Sequence, residues 1–163
     1  MLPPSRRPGH YAIALVCLGN ICRSPTAHVV LDVRLAESGL DDRVEVHSSG
    51  TGGWHVGSPM DPRAADALTA AGYDPTRHRA RQYDDSWAAS HDLVLAMDDD
   101  NLADLGGRSE RIAKFRDFDP VDPGADVPDP YYADADGFAL VLEMVERTAD
   151  ALVAELTDLL DPG

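Results

Sequence analysis

The sequence contains very little cysteine. Cys17 and Cys22 are the only two cysteines among 163 residues, and they lie five positions apart in one short stretch. Two thiols are too few for a structural zinc site with four ligands, and they cannot form the disulfide framework that stabilises small secreted domains. We therefore expect the protein to work in a reducing, cytoplasmic compartment.

Positive charge is also scarce. The chain has 14 Lys and Arg residues against 29 Asp and Glu residues, which gives a formal net charge of −15, and Lys114 is its single lysine. Such a surface repels polyanions, so we expect no nucleic-acid partner and no membrane partner. A phosphate-bearing substrate is repelled too, so any phosphate site must depend on a local arrangement of donors and cations.

Long hydrophobic runs are missing. The apolar run from Tyr11 to Leu18 has eight residues, which is too short to cross a membrane. It continues directly into Asn20 and Arg23 and lacks the small-residue cleavage pattern of a signal peptide. This run therefore predicts a buried strand, as in a parallel sheet covered on both faces.

The length of the chain fits a single domain with a core of its own. Residues 1–9 contain three Pro and two Arg without apolar periodicity, and they predict a flexible N-terminal extension. Residues 10–163 then form the domain, because the sequence has no internal repeat and no linker.

Strand-like and helix-like segments alternate along this domain. Strands are predicted at 11–16, 44–47, 92–97 and 112–118. Helices are predicted at 25–38, 61–72, 84–90, 99–105 and 138–160. This alternation predicts an α/β fold, a single-domain, doubly wound, four-stranded parallel sheet flanked by helices, with its site beyond the carboxyl ends of the strands.

A phosphate-binding loop is predicted directly after the first strand. Residues 17–24 read Cys-Leu-Gly-Asn-Ile-Cys-Arg-Ser and precede a helix that has Pro25 in its first turn. Backbone N–H groups at the start of a helix bind anions, Gly19 allows a tight bend, and Asn20 tolerates a left-handed backbone. The predicted phosphate-binding residues of the loop are Leu18, Gly19, Asn20, Ile21, Cys22 and Ser24.

Cys17 and Arg23 give this loop its chemistry. A thiol in an electropositive loop favours the thiolate, which is a nucleophile. Arg23 can bind two phosphate oxygens through its planar guanidinium, and Ser24 can stabilise the sulfur as a leaving group. Two interpretations of Cys22 remain open: it is a core residue, or it protects oxidised Cys17 by forming a disulfide with it.

Residues 16–27, Val-Cys-Leu-Gly-Asn-Ile-Cys-Arg-Ser-Pro-Thr-Ala, resemble the signature loop of the low-molecular-weight protein tyrosine phosphatases. Four later segments match the same family in the expected order: Ser48-Ser49-Gly50-Thr51 with Trp54, His78-x-Ala-Arg-Gln82, Met97-Asp98-x-x-Asn101, and Asp129-Pro130-Tyr131-Tyr132. The resemblance extends from about His10 onward. It implies an enzyme that hydrolyses phosphotyrosine in proteins through a phosphocysteine, without a metal or organic cofactor. We expect this enzyme to be a monomer.

Cleavage of a phosphate ester also requires a proton for the departing oxygen, and a thiolate cannot supply it. Asp-Pro occurs six times in the chain and identifies no residue by itself. Asp129 differs from the others because Tyr131 and Tyr132 follow it, within an 18-residue loop at 119–136. The resemblance implies that Asp129 is the general acid and later the base that activates water.

The aromatic residues of two loops are expected to form the walls of the pocket. Trp54 with at least one of Tyr131 and Tyr132 would enclose a flat ring in a deep slot, and a phosphoserine stem is too short to reach its bottom. The alternative is that the two tyrosines are packing residues. His55 either lines the same entrance or is an ordinary surface histidine.

The resemblance further implies that Ser24, Ser48 and His78 hold Asn20 in a strained conformation through hydrogen bonds. His78 could instead be a solvent-facing residue within its arginine-rich segment. Asp98 matches the family pattern and equally suits the N-cap of the helix that follows it.

Four other functions fit the sequence less well. An arsenate reductase of this fold needs further cysteines, and a sugar-transport phosphocysteine carrier lacks the arginine found at Arg23. A protein arginine phosphatase typically has Thr where this chain has Ile21. A phosphopeptide-binding module has no need for an acid such as Asp129.

Overall fold

Four parallel strands form a central sheet. The computed structural model describes residues 2–131 and 134–161, so the predicted site residue Tyr132 lies outside the described residues. The strands are β1 (Tyr11–Cys17), β2 (Val44–Gly50), β3 (Leu93–Ala96) and β4 (Ile112–Lys114). Their order is β2-β1-β3-β4 and all three pairings are parallel, which confirms the predicted doubly wound fold.

Helices cover both faces of the sheet. They are α1 (Arg23–Glu37), α2 (Pro62–Ala70), α3 (Ser86–Ser90), α4 (Asp99–Asp104) and α5 (Ala135–Leu160). Ile13 and Leu15 of β1 belong to the large core that also contains buried residues of α1, α2 and α5. Ala14 and Val16 point to the opposite face and pack in a smaller cluster with Trp87 of α3. The alternation along β1 therefore buries both of its faces, as its apolar run predicts.

The fourth strand is shorter than its predicted extent of 112–118. It ends at Lys114, and a 3-10 helix follows at Phe115–Phe118. The cause is local, because the Asp117 carboxylate accepts a hydrogen bond of 2.9 Å from the Lys114 backbone N–H and closes a turn there.

The N-terminal segment contacts the domain. The Tyr11 hydroxyl donates to the Pro3 carbonyl at 3.0 Å, Arg111 donates to the Pro4 carbonyl at 2.8 Å, and the Arg6 backbone N–H donates to Asp92 at 2.6 Å. These bonds place the segment beside the first and third strands. Its flexibility stays a prediction.

None of the helices within the described part of the chain combines the length and the apolar character needed to cross a bilayer.

An ion-pair cluster anchors the start of the long loop that precedes α5. The carboxylate of Asp119 is 1% exposed and accepts two hydrogen bonds of 2.8 Å from Arg147 of α5. Arg116 donates a third at 2.9 Å. The Arg147 guanidinium, together with the Val121 N–H and Arg116, outweighs burial and holds the pKa of Asp119 well below its usual range.

The Asp119 cluster makes the free energy of unfolding depend on pH. A carboxyl group with a depressed folded-state pKa stabilises the fold above its unfolded pKa of about 3.9, and this contribution is lost as the pH falls toward the folded-state value. We expect Asp119→Asn to lower the free energy of unfolding at pH 7 by about 3 kcal/mol, because it breaks a buried pair. The difference from wild type should shrink between about pH 5 and pH 2.

Urea unfolding followed by circular dichroism across this pH range measures the effect. Asp122→Asn is the matched control, since Asp122 is 69% exposed and lies 3.8 Å from Arg116, and its effect should stay within about 0.5 kcal/mol. A difference between Asp119→Asn and wild type that does not change with pH would contradict the assignment.

Candidate active site

The loop at residues 17–24 joins β1 to α1 at the carboxyl edge of the sheet. The loop after β2 supports it from the side, because Thr51 donates its backbone N–H to the Cys17 carbonyl and Gly52 donates to the Leu18 carbonyl, both at 2.9 Å. A Cβ at Gly50 would lie 2.7 Å from the Leu18 carbonyl oxygen. Gly50 therefore permits the close approach of the two loops.

The sulfur of Cys17 lies inside this loop and is surrounded by hydrogen-bond donors. Cys17 is 3% exposed, and the Asn20 backbone N–H donates to its Sγ atom at 3.3 Å. Ser24 Oγ lies 3.0 Å from the same sulfur. Because Ser24 Oγ accepts a 2.8 Å hydrogen bond from the Asn20 side chain, its own hydrogen can point either to the sulfur or to the Ser49 carbonyl oxygen 3.4 Å away. Donors in these positions stabilise a negative charge on sulfur.

Asn20 holds the loop in its curled shape. Its φ angle of +56° is the single positive value at a non-glycine position in the described part of the chain. His78 Nε2 lies 2.6 Å from the Asn20 carbonyl oxygen, and the Arg81 backbone N–H donates to the side-chain oxygen at 2.9 Å. The left-handed backbone is thus fixed by contacts from a distant segment.

His78 contacts Asn20 as predicted for the support of the loop, whereas Ser48 does not. His78 is half-buried and bonded to the loop, so it is not the solvent-facing histidine of the alternative interpretation. Burial lowers the pKa of His78, although its bond to Asn20 acts in the opposite direction, and a neutral ring with its proton on Nε2 fits this bond. The prediction for Ser48 is wrong: between these described residues there is no Ser48–Asn20 bond, and the hydroxyl lies 3.3 Å from His28 Nδ1.

Arg23 is held by two partners from the other side of the site. Its NH1 group donates to Asp98 at 2.6 Å and to the Val127 carbonyl at 3.0 Å. Burial alone would lower the pKa of Arg23, but the Cys17, Asp98 and Asp129 charges outweigh it and raise the pKa. Among the described residues, the Nε–H and NH2 groups of Arg23 form no hydrogen bond, although NH2 lies 3.6 Å from the Asp129 carboxylate, so both groups can bind an anion in the cavity.

Sequence reasoning missed the pairing of Asp98 with Arg23. One carboxylate oxygen of Asp98 caps α4 by accepting from the Asn101 N–H at 2.7 Å, and the other accepts from Arg23. The residue does both jobs because β3 lies beside β1, with Ala96 in register with Val16. The sequence did place Asp98 two residues after Ala96, at the carboxyl end of a strand predicted to lie in the same sheet as β1. This position could have indicated that Asp98 lies near Arg23.

Asp129 and Arg23 line the same cavity of about 260 Å³. The Asp129 carboxylate is 45% exposed, accepts the Tyr131 backbone N–H at 3.0 Å, and lies 3.6 Å from Arg23 NH2. The structure thus brings the predicted nucleophile, cation and acid to one opening. The lining residues are Cys17, Leu18, Gly19, Ile21, Cys22, Arg23, Trp54, His55, Asp129 and Tyr131.

Aromatic rings surround the entrance of this cavity. The Trp54 ring is 73% exposed and lies over Gly52, where a Cβ would meet it at 1.9 Å. The His55 ring lies 3.0 Å from the position of a Cβ on Gly19, so His55 contacts the loop itself. The Tyr131 ring is stacked with the Arg63 guanidinium, 5.3 Å from its centroid. These side chains can contact a flat group at the mouth of the cavity.

Cys22 lines the same cavity and belongs to the large core. Both cysteines are free thiols, and burial, followed by the charge of Asp61, raises the pKa of Cys22 to about 12. A protonated thiol is a poor nucleophile, so Cys22 does not compete with Cys17. Its protective disulfide stays a prediction.

The arrangement suits transfer of a phosphoryl group to sulfur. The Asn20 backbone N–H and the Ser24 hydroxyl contact the sulfur, and the Arg23 guanidinium and the Asp129 carboxyl group line the same cavity. Over residues 2–131 and 134–161, no group of three or more His, Cys, Asp or Glu side chains is arranged to hold a metal ion.

Comparisons with known proteins agree with this geometry. The family model described as "Low molecular weight phosphotyrosine protein phosphatase" matches residues 12–159. A low molecular weight protein-tyrosine-phosphatase of Streptomyces coelicolor is 42% identical over 156 residues, which cover 91% of this chain and 94% of that protein. The low molecular weight protein-tyrosine phosphatase A of Mycobacterium tuberculosis is 43% identical over 145 residues, or 86% and 88% of the two chains.

Solved structures show the same fold. A protein tyrosine phosphatase from Entamoeba histolytica, with Hepes in its active site, superimposes with a TM-score of 0.85 at 31% identity and covers 91% of this chain and 97% of that one. YfkJ from Bacillus subtilis gives a TM-score of 0.83 at 28% identity, with 91% and 96% covered.

Proposed function

Because the chain belongs to the low molecular weight phosphotyrosine protein phosphatase family, we propose that it hydrolyses phosphotyrosine in proteins through a phosphocysteine on Cys17. The observation that carries this proposal is the convergence of Cys17, Arg23 and Asp129 on one cavity. The proposed enzyme uses no metal and no organic cofactor. Its proposed setting is the cytoplasm, where two free thiols stay reduced, and we expect it to act as a monomer.

The first step of the proposed mechanism forms a sulfur–phosphorus bond. The Cys17 thiolate attacks phosphorus, the bond to the phenolic oxygen breaks, and Asp129 gives its proton to that oxygen. The N–H groups of the loop and the free edge of the Arg23 guanidinium bind the equatorial oxygens of the transition state. Asp98 keeps Arg23 aimed at the cavity by occupying NH1.

The second step returns the enzyme to its starting state. The carboxylate of Asp129 takes a proton from water, the resulting oxygen nucleophile attacks phosphorus, and the thiolate leaves. The Ser24 hydroxyl, 3.0 Å from the sulfur, stabilises the thiolate as it forms. Inorganic phosphate is released.

Selectivity for tyrosine follows from the depth and the walls of the cavity. The sulfur is buried, whereas Trp54, His55 and Tyr131 stand at the rim. A flat aromatic ring spans this distance and contacts the rim, which a phosphoserine side chain is too short to do. Ile21 lines the wall as an apolar residue and favours a ring over a guanidinium.

The test compares three peptides of one sequence that carry phosphotyrosine, phosphoserine or phosphoarginine. We expect kcat/KM for the phosphotyrosine peptide to exceed each of the others by at least about tenfold, because burying an aromatic ring is worth roughly 1.5–3 kcal/mol. A preference for phosphoarginine would favour the arginine phosphatase alternative. Equal rates for phosphoserine would contradict selection by the aromatic rim.

A further inference from the structure

Most cations of this acidic protein lie in ion pairs with carboxylates. The paired side chains are Arg23, Arg34, Arg43, Arg63, Arg108, Arg111, Arg116, Arg147 and Lys114. Among the residues described, Arg77, Arg79 and Arg81 have no carboxylate within ion-pair distance, and all three are exposed. A chain with twice as many acidic as basic residues therefore leaves three cations unpaired in one five-residue segment.

These three arginines line one groove of about 420 Å³, which we call the arginine groove. It lies between α1 and residues 74–81, and its lining includes His28, His78 and Ser48. None of its lining residues lines the cavity that contains Cys17. The groove is thus a separate site, although His78 connects its wall to the phosphate-binding loop through Asn20.

The groove also contains two carboxylates, and both have partners beside them. The Asp32 carboxylate lies 3.2 Å from Nε2 of His28, which is one turn earlier in α1. Asp74 accepts hydrogen bonds from the Thr76 backbone N–H at 2.9 Å and from its hydroxyl at 2.6 Å. Neither forms an ion pair with Arg77, Arg79 or Arg81. The Arg79 NH1 group donates to the Thr76 and His78 carbonyls at 3.2 and 2.6 Å. Its other N–H groups, together with the Arg77 and Arg81 guanidinium groups, can still bind an anion.

We propose that the arginine groove binds a small anion that carries phosphate groups. Guanidinium groups on alternate residues repel each other, and an anion between them removes this repulsion while it accepts paired hydrogen bonds. The volume lies within the range of small-molecule sites. Because the protein as a whole repels anions, such binding depends on these arginines and weakens with salt.

The test is a titration of the ¹⁵N-labelled full-length protein with inorganic pyrophosphate, followed by amide and arginine Nε–H resonances. The side-chain Nε–H resonances of Arg77, Arg79 and Arg81 report the groove, because the Arg81 backbone N–H bonds to Asn20 and responds to both sites. The amide resonances of residues 18–21 report the catalytic cavity, so the two affinities are measured separately. We expect saturable shifts of the three arginine Nε–H resonances with a Kd of about 1 mM or tighter. The readout requires no turnover, so its outcome is distinct from that of the proposed enzyme activity.

Two variants test whether the arginines of the groove are responsible for binding the anion. The double variant Arg77→Gln/Arg79→Gln should weaken pyrophosphate binding, followed at the Arg81 Nε–H, by at least about tenfold, the loss expected for charge-assisted hydrogen bonds. Arg7→Gln is the matched control, because Arg7 is exposed and also lacks a carboxylate partner among the described residues, and it should leave the Kd unchanged. Unmoved groove resonances in wild type, or equal Kd values in wild type and the double variant, would overturn the proposal.

Discussion

Replacing Cys17 with serine is expected to lower kcat for p-nitrophenyl phosphate by about 10⁴-fold or more. A serine hydroxyl needs a base to become a nucleophile, and the groups beside this position are the Asn20 N–H and the Ser24 hydroxyl, which donate. Among the described residues, the contacts of the sulfur include no positioned base. Steady-state assays of wild type and Cys17→Ser measure the loss.

Oxyanion binding shows whether the loop survives this substitution. Cys17→Ser should still bind inorganic phosphate at residues 18–21, because backbone N–H groups and Arg23 supply that affinity. Retained phosphate binding with lost turnover assigns the nucleophile to the sulfur. Turnover above about 1% of wild type would instead show that Cys17 is not the nucleophile.

Replacing Asp129 with asparagine is expected to slow hydrolysis of phenyl phosphate by about 10²- to 10⁴-fold, the usual contribution of a general acid. The loss should be much smaller for p-nitrophenyl phosphate, since p-nitrophenolate departs without a proton. Asparagine retains an oxygen that can accept the Tyr131 N–H, so the turn at this position is preserved. A series of aryl phosphates with graded leaving groups gives the dependence directly.

Asp122→Asn is the control for this series, because Asp122 also precedes a proline in the same loop but lines no part of the cavity. Its rates should match wild type for every leaving group. If Asp129→Asn reduced the rates for good and poor leaving groups equally, Asp129 would not be the acid.

The architecture was largely predictable because it is encoded in local patterns. The apolar run of β1 and the alternation of strands with helices were sufficient to predict a parallel sheet and the loop at its edge. The short fourth strand was not, because it ends where the Asp117 side chain bonds the Lys114 backbone. The preference of a strand for apolar residues carries no information about such a turn.

The interior of the site was less predictable, because its contacts join residues far apart in sequence. Arg23 bonds the Val127 carbonyl 104 positions away, and Arg81 contributes its backbone N–H to Asn20 from 61 positions away. Every residue type except proline has a backbone N–H, so the sequence does not show which residue donates such a bond. Ser48 illustrates the converse, since its residue type fitted the support role but its hydroxyl lies against His28 instead.

The hydrogen bonds from His78 and Arg81 to Asn20 make catalytic activity sensitive to local unfolding of residues 78–81. The curled shape of residues 17–24 depends on residues 78–81 as well as on the loop after β2, because His78 and Arg81 bond to Asn20. Residues 78–81 belong to no helix or strand, and such segments open more easily than a sheet. Mild denaturant or proteolytic cleavage near residue 77 should therefore abolish turnover before circular dichroism detects a loss of secondary structure. The catalytic rate would then detect local unfolding of this protein earlier than circular dichroism does.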